Sequence, residues 1–303
     1  MKSRTPDKKL KLDFFVKKTE PYVYMLPTIG LMVLLLFVPI IMVIAYSFFD
    51  NVIINDNPVF VGITNYVSVL SDGIFLKSCT NTAMFVILNV IAHLILGMSL
   101  AMLVNAKSLK PGPKAAFRII YMLPWMFNAT VIAILWKLLL NGSGIINYLL
   151  INFNISNFPV EWLSSRDFAL WVLTFINIWA GYPFYMISIL AGLQGIPSTL
   201  YEASSIDGAG SVQRFFNITL PQLKPILISI TMLDFIWTTQ NFSLIWLLTA
   251  GGPAHATEMM STYVYKTAFQ RYEYSQASAA AVIILIICVI LAVFYVRSQQ
   301  RED

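Results

Sequence analysis

Six apolar stretches constrain this chain more than anything else in it. They run over about 22–49, 80–104, 116–140, 168–193, 226–248 and 277–296, and each reaches the ~20 residues needed to cross a bilayer as a helix. Inside lipid every backbone N–H and C=O must be satisfied within the segment or by a closed barrel. Barrel strands are ~10-residue segments of alternating hydrophobicity, so these longer uninterrupted runs specify helices. Charge content agrees: 12% of the residues are Asp, Glu, Lys or Arg, against about 25% in ordinary soluble chains. The first stretch follows a basic segment, as a signal peptide would. It is longer than a ~7–15-residue signal core and runs out through Tyr46-Ser47-Phe48-Phe49, so it reads as an uncleaved span. The expected fold class is an all-α membrane protein with six transmembrane helices.

Basic residues stay on the cytoplasmic side of a membrane, so their placement orients the spans. Lys2, Arg4, Lys8, Lys9, Lys11, Lys17 and Lys18 precede the first span. Lys107, Lys110, Lys114 and Arg118 follow the second, Arg214 and Lys224 follow the fourth, and Arg297 and Arg301 follow the last. Those are fifteen of the twenty basic residues, and they place both termini in the cytoplasm. The implied organisation is a basic cytoplasmic tail (1–21), a transmembrane domain (22–297) and a short cytoplasmic tail (298–303). The basic charge therefore records topology and excludes nucleic acid as a partner. Cys79 and Cys288 lie too far apart in sequence to suggest a zinc spacing or a disulfide framework. The segment 142–162 reads as interfacial, with apolar residues interspersed among asparagines.

The most informative loop lies between spans four and five, over about 197–221. It predicts two short helices. Thr199 is a suitable N-cap, and Glu202 three residues later completes a capping box. Gly208 is a natural C′ stop. Ser211 can cap a second helix, expected to end near Pro221 because the residue before a proline, here Leu220, is pushed from the α region. Ordered loops of this length are usually functional, and a helical pair here suggests an element that contacts something in the cytoplasm.

Glu202-Ala203-Ser204, then Asp207-Gly208-Ala209, then Ile218-Thr219-Leu220-Pro221 resembles the EAA loop of bacterial ABC importer permeases, with Ser204 in place of the third alanine. Leu247-Leu248-Thr249-Ala250-Gly251-Gly252-Pro253, Thr257, Tyr263-Val264-Tyr265 and Ala268-Phe269 resemble an external loop of the first permease of sugar-importer pairs, the maltose, glycerol-3-phosphate and lactose group. Gly62-Ile63-Thr64-Asn65-Tyr66 and Gly144-Ile145-Ile146-Asn147 are similar to the same subgroup. The resemblance implies a bacterial inner or plasma membrane protein that works by alternating access. Its implied partners are a second, non-identical permease, a dimeric cytoplasmic ABC ATPase that uses ATP and magnesium, an extracytoplasmic solute-binding protein, and a sugar. The loop would dock on the ATPase, with Glu202 as polar anchor and Ala203, Ser204, Asp207, Gly208, Phe215, Ile218, Leu220 and Pro221 completing the coupling element. Leu200, Ile206, Phe215 and Phe216 would supply apolar contact. The direction of transport, import, also comes from the resemblance.

Other chemistry has no sequence support. No G-x-x-x-x-G-K-[ST] run is present, so a P-loop cradle for nucleotide phosphates is missing and the energy must come from a partner. No H-E-x-x-H, G-x-S-x-G or intramembrane carboxylate pair occurs in the sequence, so no catalytic residue, metal ligand or cofactor-binding residue is assigned. An ionisable residue within a span costs roughly 2.5–3.5 kcal/mol on insertion scales and faces an interior cavity. Asp234, Trp237, Thr238 and Asn241 recur at i, i+3, i+4 and i+7 and so share one helical face. Carboxylate and amide groups beside an indole suit a sugar, with hydroxyls to bond and a C–H face to stack on. The same residues also suit interhelical hydrogen bonding. Asn177 and Tyr185 lie on a second stripe, with Gly181, and Asn89 and His93 form a third pair. For these stripes packing is the preferred reading, and His93 reads as a satisfied core histidine. Two further classes stay open. A secondary carrier would show inverted repeats and broken helices at matching positions, which the sequence does not reveal, and a membrane enzyme would need a catalytic set.

Overall fold

A computed structural model describes residues 22–50, 52–106 and 111–299. The N-terminal tail, Lys107, Lys110 and the last residues of the C-terminal tail, on which part of the charge asymmetry rests, lie outside the described residues. Among the described residues, the regular secondary structure is helical, with one isolated bridge between Phe49 and Phe60, and six helical stretches are long and apolar enough to cross a membrane.

The chain begins with α1 (Tyr22–Tyr46), which contains a π turn at Val33–Phe37. A loop leads to α2 (Thr64–Ser71) and then to α3 (Gly73–Asn105). Next come α4 (Pro111–Met126), α5 (Ala129–Leu140) and the short α6 (Ile145–Asn152). They are followed by α7 (Ala169–Gly195) and α8 (Ser198–Ile206). The fifth crossing is α9 (Ser211–Thr239), followed by α10 (Ser243–Leu248), α11 (Met260–Phe269) and α12 (Tyr274–Gln299).

Three crossings differ from the sequence expectation. The second span starts at Gly73 rather than near 80, because Asp72 accepts the Ile74 N–H at 2.8 Å and caps the helix before the apolar run begins. At 33 residues it is about 50 Å long and extends past the hydrocarbon. The third span, expected over 116–140, is divided between α4 and α5, interrupted at Phe127 just beyond Pro124 with Asn128 capping α5 through the Val131 N–H, and the stretch long and apolar enough to cross there runs over Ala129–Asn152. The fifth crossing starts at Ser211, not near 226. Leu220 keeps helical angles (φ −65°, ψ −44°), so the expected stop before Pro221 does not occur. A π turn over Phe215–Thr219 precedes it, with the Leu220 N–H bonded to Phe215 O. The bias of a pre-proline residue against the α region is soft, and here the helix overrides it. The same crossing breaks at 240–242, ahead of its expected end near 248.

The core centres on α3 packed along α7. Gly97 permits it: a Cβ there would run into Tyr185 of α7, as small residues at membrane-helix crossings commonly allow. Two buried clusters occupy the two ends of this pair. One holds Phe85, Trp136, Leu173, Ile176 and Ile245; the other holds Ala101, Tyr185, Met186, Ile189 and Leu223. Helix α1 stands at the periphery against α12, with an apolar and exposed surface.

Candidate functional site

The two helix breaks face one pocket. Phe127 and Ala129 border it from the third crossing, and Thr238, Asn241 and Leu244 border it from the fifth. Irregular backbone at membrane depth is tolerated where it lines a cavity. The pocket, about 270 Å³, is completed by His93, Trp125, Asn177, Gly181, Asp234 and Trp237 among others. The face predicted on span five is therefore brought together: Asp234, Trp237, Thr238 and Asn241 all contribute. Asn241 does so from beyond the helix end, where its N–H bonds Thr238 O. Asn177 joins them from α7, whereas Tyr185 sits behind the wall, buried, and reaches Asp234 with its hydroxyl.

The polar groups form one network across three helices. Asp234 Oδ2 lies 2.9 Å from His93 Nδ1 of α3 and accepts from Tyr185 Oη of α7 at 3.1 Å. Asp234 Oδ1 accepts from Thr238 at 3.0 Å. His93 Nε2 lies 3.1 Å from the backbone oxygen of Asn177. Asn177 Nδ2 donates to Asn89 Oδ1 at 2.9 Å, and its Oδ1 accepts from Asn241 at 2.8 Å. The polar residues of these stripes are hydrogen-bonded to one another, and His93 and Asn177 also line the pocket; partners 141 residues apart were beyond any local pattern. Trp237 is half exposed and meets the ring of Phe184, which also meets Trp125. The pocket thus offers an aromatic face beside amide and hydroxyl groups, a surface suited to a polyhydroxy solute.

The loop between the fourth and fifth crossings is built differently from its expected capping. Helix α8 starts at Ser198 behind Pro197 with no side-chain cap, so the Thr199–Glu202 capping box does not form. Pro197 already fixes the chain's entry, ahead of Thr199. Glu202 is left exposed. The C-terminal expectation holds. Gly208 takes φ +75°, its N–H bonds Ser205 O, and the Ala209 N–H bonds Ser204 O, the two bonds of a Schellman stop. The second helix, α9, begins at Ser211 behind Gly210, also without a side-chain cap. Arg214 Nε donates to Ala209 O at 2.8 Å, and the hydroxyls of Tyr201 and Thr219 meet at 2.9 Å. These bonds tie the turn and α8 to α9 as one body. Ile206 (88% exposed), Val212 (71%) and Phe216 (58%) project from it; Leu200 is less exposed, and Phe215 turns partly inward onto a cavity wall. Ala203 and Pro221 are exposed, while Ser204, Ile218 and Leu220 are half-buried.

A third constellation escaped sequence reasoning. Glu258 is fully buried and accepts from Lys266 Nζ at 2.6 Å and Thr262 Oγ1 at 2.8 Å, with His255 Nδ1 at 2.9 Å. Asn81 of α3 donates to the backbone oxygens of His255, Ala256 and Glu258. Gly251 has φ +81°, and a Cβ on it would collide with the Glu258 carboxylate. The Gly251-Gly252-Pro253 run thus belongs to a strap folded around a buried acid. The signal available was a lone Glu between His255 and Lys266, too common a pattern to single out. Nearby, Tyr263 donates to Asp72 at 2.8 Å, and Arg271 lies 3.7 Å from the same carboxylate. Burial works against a charge on Asp72. The Tyr263 bond, the Ile74 N–H and Arg271 outweigh it and hold its carboxyl below the ordinary 3.8. Burial, and then Asp72, push the Tyr263 hydroxyl well up.

Among the described residues no group of His, Cys, Asp or Glu is placed to hold a metal. Residues 93–302 match the family model described as the binding-protein-dependent transport system inner membrane component. The chain is 32% identical over 277 residues to the trehalose/maltose transport system permease protein MalF of Thermococcus litoralis, covering 91% of this chain and 92% of that one. It is 28% identical over 279 residues to the sulfoquinovosyl glycerol transport system permease protein SmoG of Agrobacterium fabrum, covering 91% and 89%. Its fold is similar to a chain of a bacterial ABC transporter involved in import of the acidic polysaccharide alginate, with TM-score 0.82, 24% identity, and 96% and 99% of the two chains covered. This chain belongs to the family of inner membrane components of binding-protein-dependent transport systems. It is a multi-pass membrane protein. The broken third and fifth helices therefore occur here in a member of this family and are not by themselves a mark of a secondary carrier.

Proposed function

We propose that this chain is one of two non-identical permease subunits of an ATP-driven carbohydrate importer. The observation that carries the reading is the mid-membrane pocket, in which the half-exposed indole of Trp237 stands beside Asn241, Asn177 and Thr238 at two helix breaks. Relatives named for trehalose/maltose and sulfoquinovosyl glycerol transport support a sugar as the solute. In this reading the pocket is half of a translocation path completed by the second permease. A solute-binding protein delivers the sugar at the external loops, and both termini face the cytoplasm. The chain binds no nucleotide itself. A dimeric ATPase with ATP and magnesium docks on α8 and the start of α9, with Glu202 as the polar anchor and Ile206, Val212 and Phe216 as apolar contact. The tie of α8 to α9 supports this, since movement of the loop would be transmitted along a continuous helix to Asp234 and the pocket.

Co-purification of the chain from its native membrane, followed by ATPase measurement in liposomes with maltose, trehalose and other neutral sugars, tests the reading. The expected outcome is a complex containing an ATPase and a second permease, stimulated by a sugar together with its binding protein. Recovery of the chain with no ATPase would sink it.

A further inference from the structure

We infer that His93 and Asp234 hold one proton between them, forming an electroneutral clasp that joins α3, α7 and α9 at the wall of the pocket, with His93 as its positioning residue. The two ring nitrogens of His93 face different kinds of group. A backbone carbonyl oxygen can only accept a hydrogen bond, so His93 Nε2, 3.1 Å from Asn177 O, carries a hydrogen. The tautomer is thereby fixed. His93 Nδ1, 2.9 Å from Asp234 Oδ2, is then either the second N–H of an imidazolium facing a carboxylate or a lone pair facing a protonated carboxyl. The third arrangement, lone pair against carboxylate, is repulsive in a site where the two side chains are 2% and 10% exposed, and an uncompensated buried charge is strongly unfavourable. Both acceptable arrangements put one hydrogen in the Nδ1···Oδ2 contact and leave the pair with no net charge.

The surroundings fit a neutral pair. Tyr185 donates to Oδ2 and Thr238 to Oδ1, while the remaining links of the network are amides. The titratable groups that meet here are His93 from α3, Tyr185 from α7 and Asp234 from α9. The pocket residues of the third crossing and of α10 (Trp125, Phe127, Ile132, Leu244) carry none. From α12, Cys288 meets Gln240. No Lys or Arg is among the residues lining the pocket. The ring is also held sterically: Gly181 lies against it, and a Cβ there would overlap the imidazole. The glycine on the span-four stripe is therefore the seat of a histidine on span two.

The inference goes beyond the sugar reading and is tested without substrate, so the two can fail separately. Solid-state nitrogen NMR of the purified transporter labelled with ¹⁵N-histidine, with H255Q used to assign the second histidine, reads the tautomer. The expected spectrum shows His93 with a hydrogen on Nε2; a ring with a bare Nε2 would overturn the inference. The second measurement is thermal unfolding of the purified complex. H93Q strands the carboxylate and is expected to lower the midpoint by about 5 °C or more, and H93Q/D234N, which removes the charge, is expected to recover most of that loss. Equal midpoints for H93Q and the double variant, or no effect of H93Q, would overturn it.

Discussion

Gly181 shows how a residue's reason for being there can sit on another helix. In the sequence it is one small member of a polar stripe; in the structure it is the gap that the His93 ring fills. Replacing it with alanine overpacks the crossing, and such changes typically cost about 1–3 kcal/mol. G181A is expected to lower the unfolding midpoint of the detergent-purified chain, whereas G30A, where a Cβ meets nothing within 4 Å, is expected to leave it in place. Equal effects would refute the seating argument. Glu258 makes the same point for charge. Removing one partner of a buried ion pair typically costs about 3–5 kcal/mol, so K266M should loosen the strap around Glu258 and raise protease cleavage within 249–259, and E258Q should be milder than K266M. Asp72 adds a dependence on pH. Its carboxyl titrates lower in the folded chain, so the stabilisation is complete above the ordinary value of 3.8 and is lost as pH falls below it through the folded value. The acid limb of the melting profile is expected to be shallower in D72N than in the native chain.

At the scale of elements, local signals were legible where local physics was in charge. Gly208 was identified as the stop of α8, and its φ of +75° is a conformation that glycine adopts without a Cβ penalty. The same reasoning misplaced the start of α8 and the end of its successor. Capping by Thr199 and interruption at Pro221 are weak preferences, worth about 1 kcal/mol for a cap; a preceding proline outranks the first and a π turn accommodates the second. As a result α9 runs unbroken from the loop between the fourth and fifth crossings to the pocket. G208P forbids the positive φ and should uncouple the two ends: uptake is expected to fall to background, with membrane insertion and ATP hydrolysis by the partner retained. Uptake at the native rate would exclude α8 as the coupling element.

For the whole molecule, orientation remains a reading from charge, and it has a direct check. In a background lacking Cys79 and Cys288, I206C on the exposed end of α8 should react with an impermeant thiol reagent only from the cytoplasmic side, and I155C, also exposed, only from outside. Labelling of both from one side would invert or break the topology. The sequence by itself determined six crossings, a helical class and a polar face on span five, because hydrophobic length and the 3.6-residue period are properties of contiguous residues. Only the tertiary structure decided which polar residues meet. His93 and Asp234 are separated by 141 positions, and Asn81 reaches Glu258 across 177. Inside a membrane each buried polar group must find a partner somewhere, but a sequence records only the need. The partner is chosen by how closely helices approach, which is set by glycines such as Gly97 and Gly181 and by breaks at Phe127 and Asn241. Those positions acquire meaning only once the helices are packed.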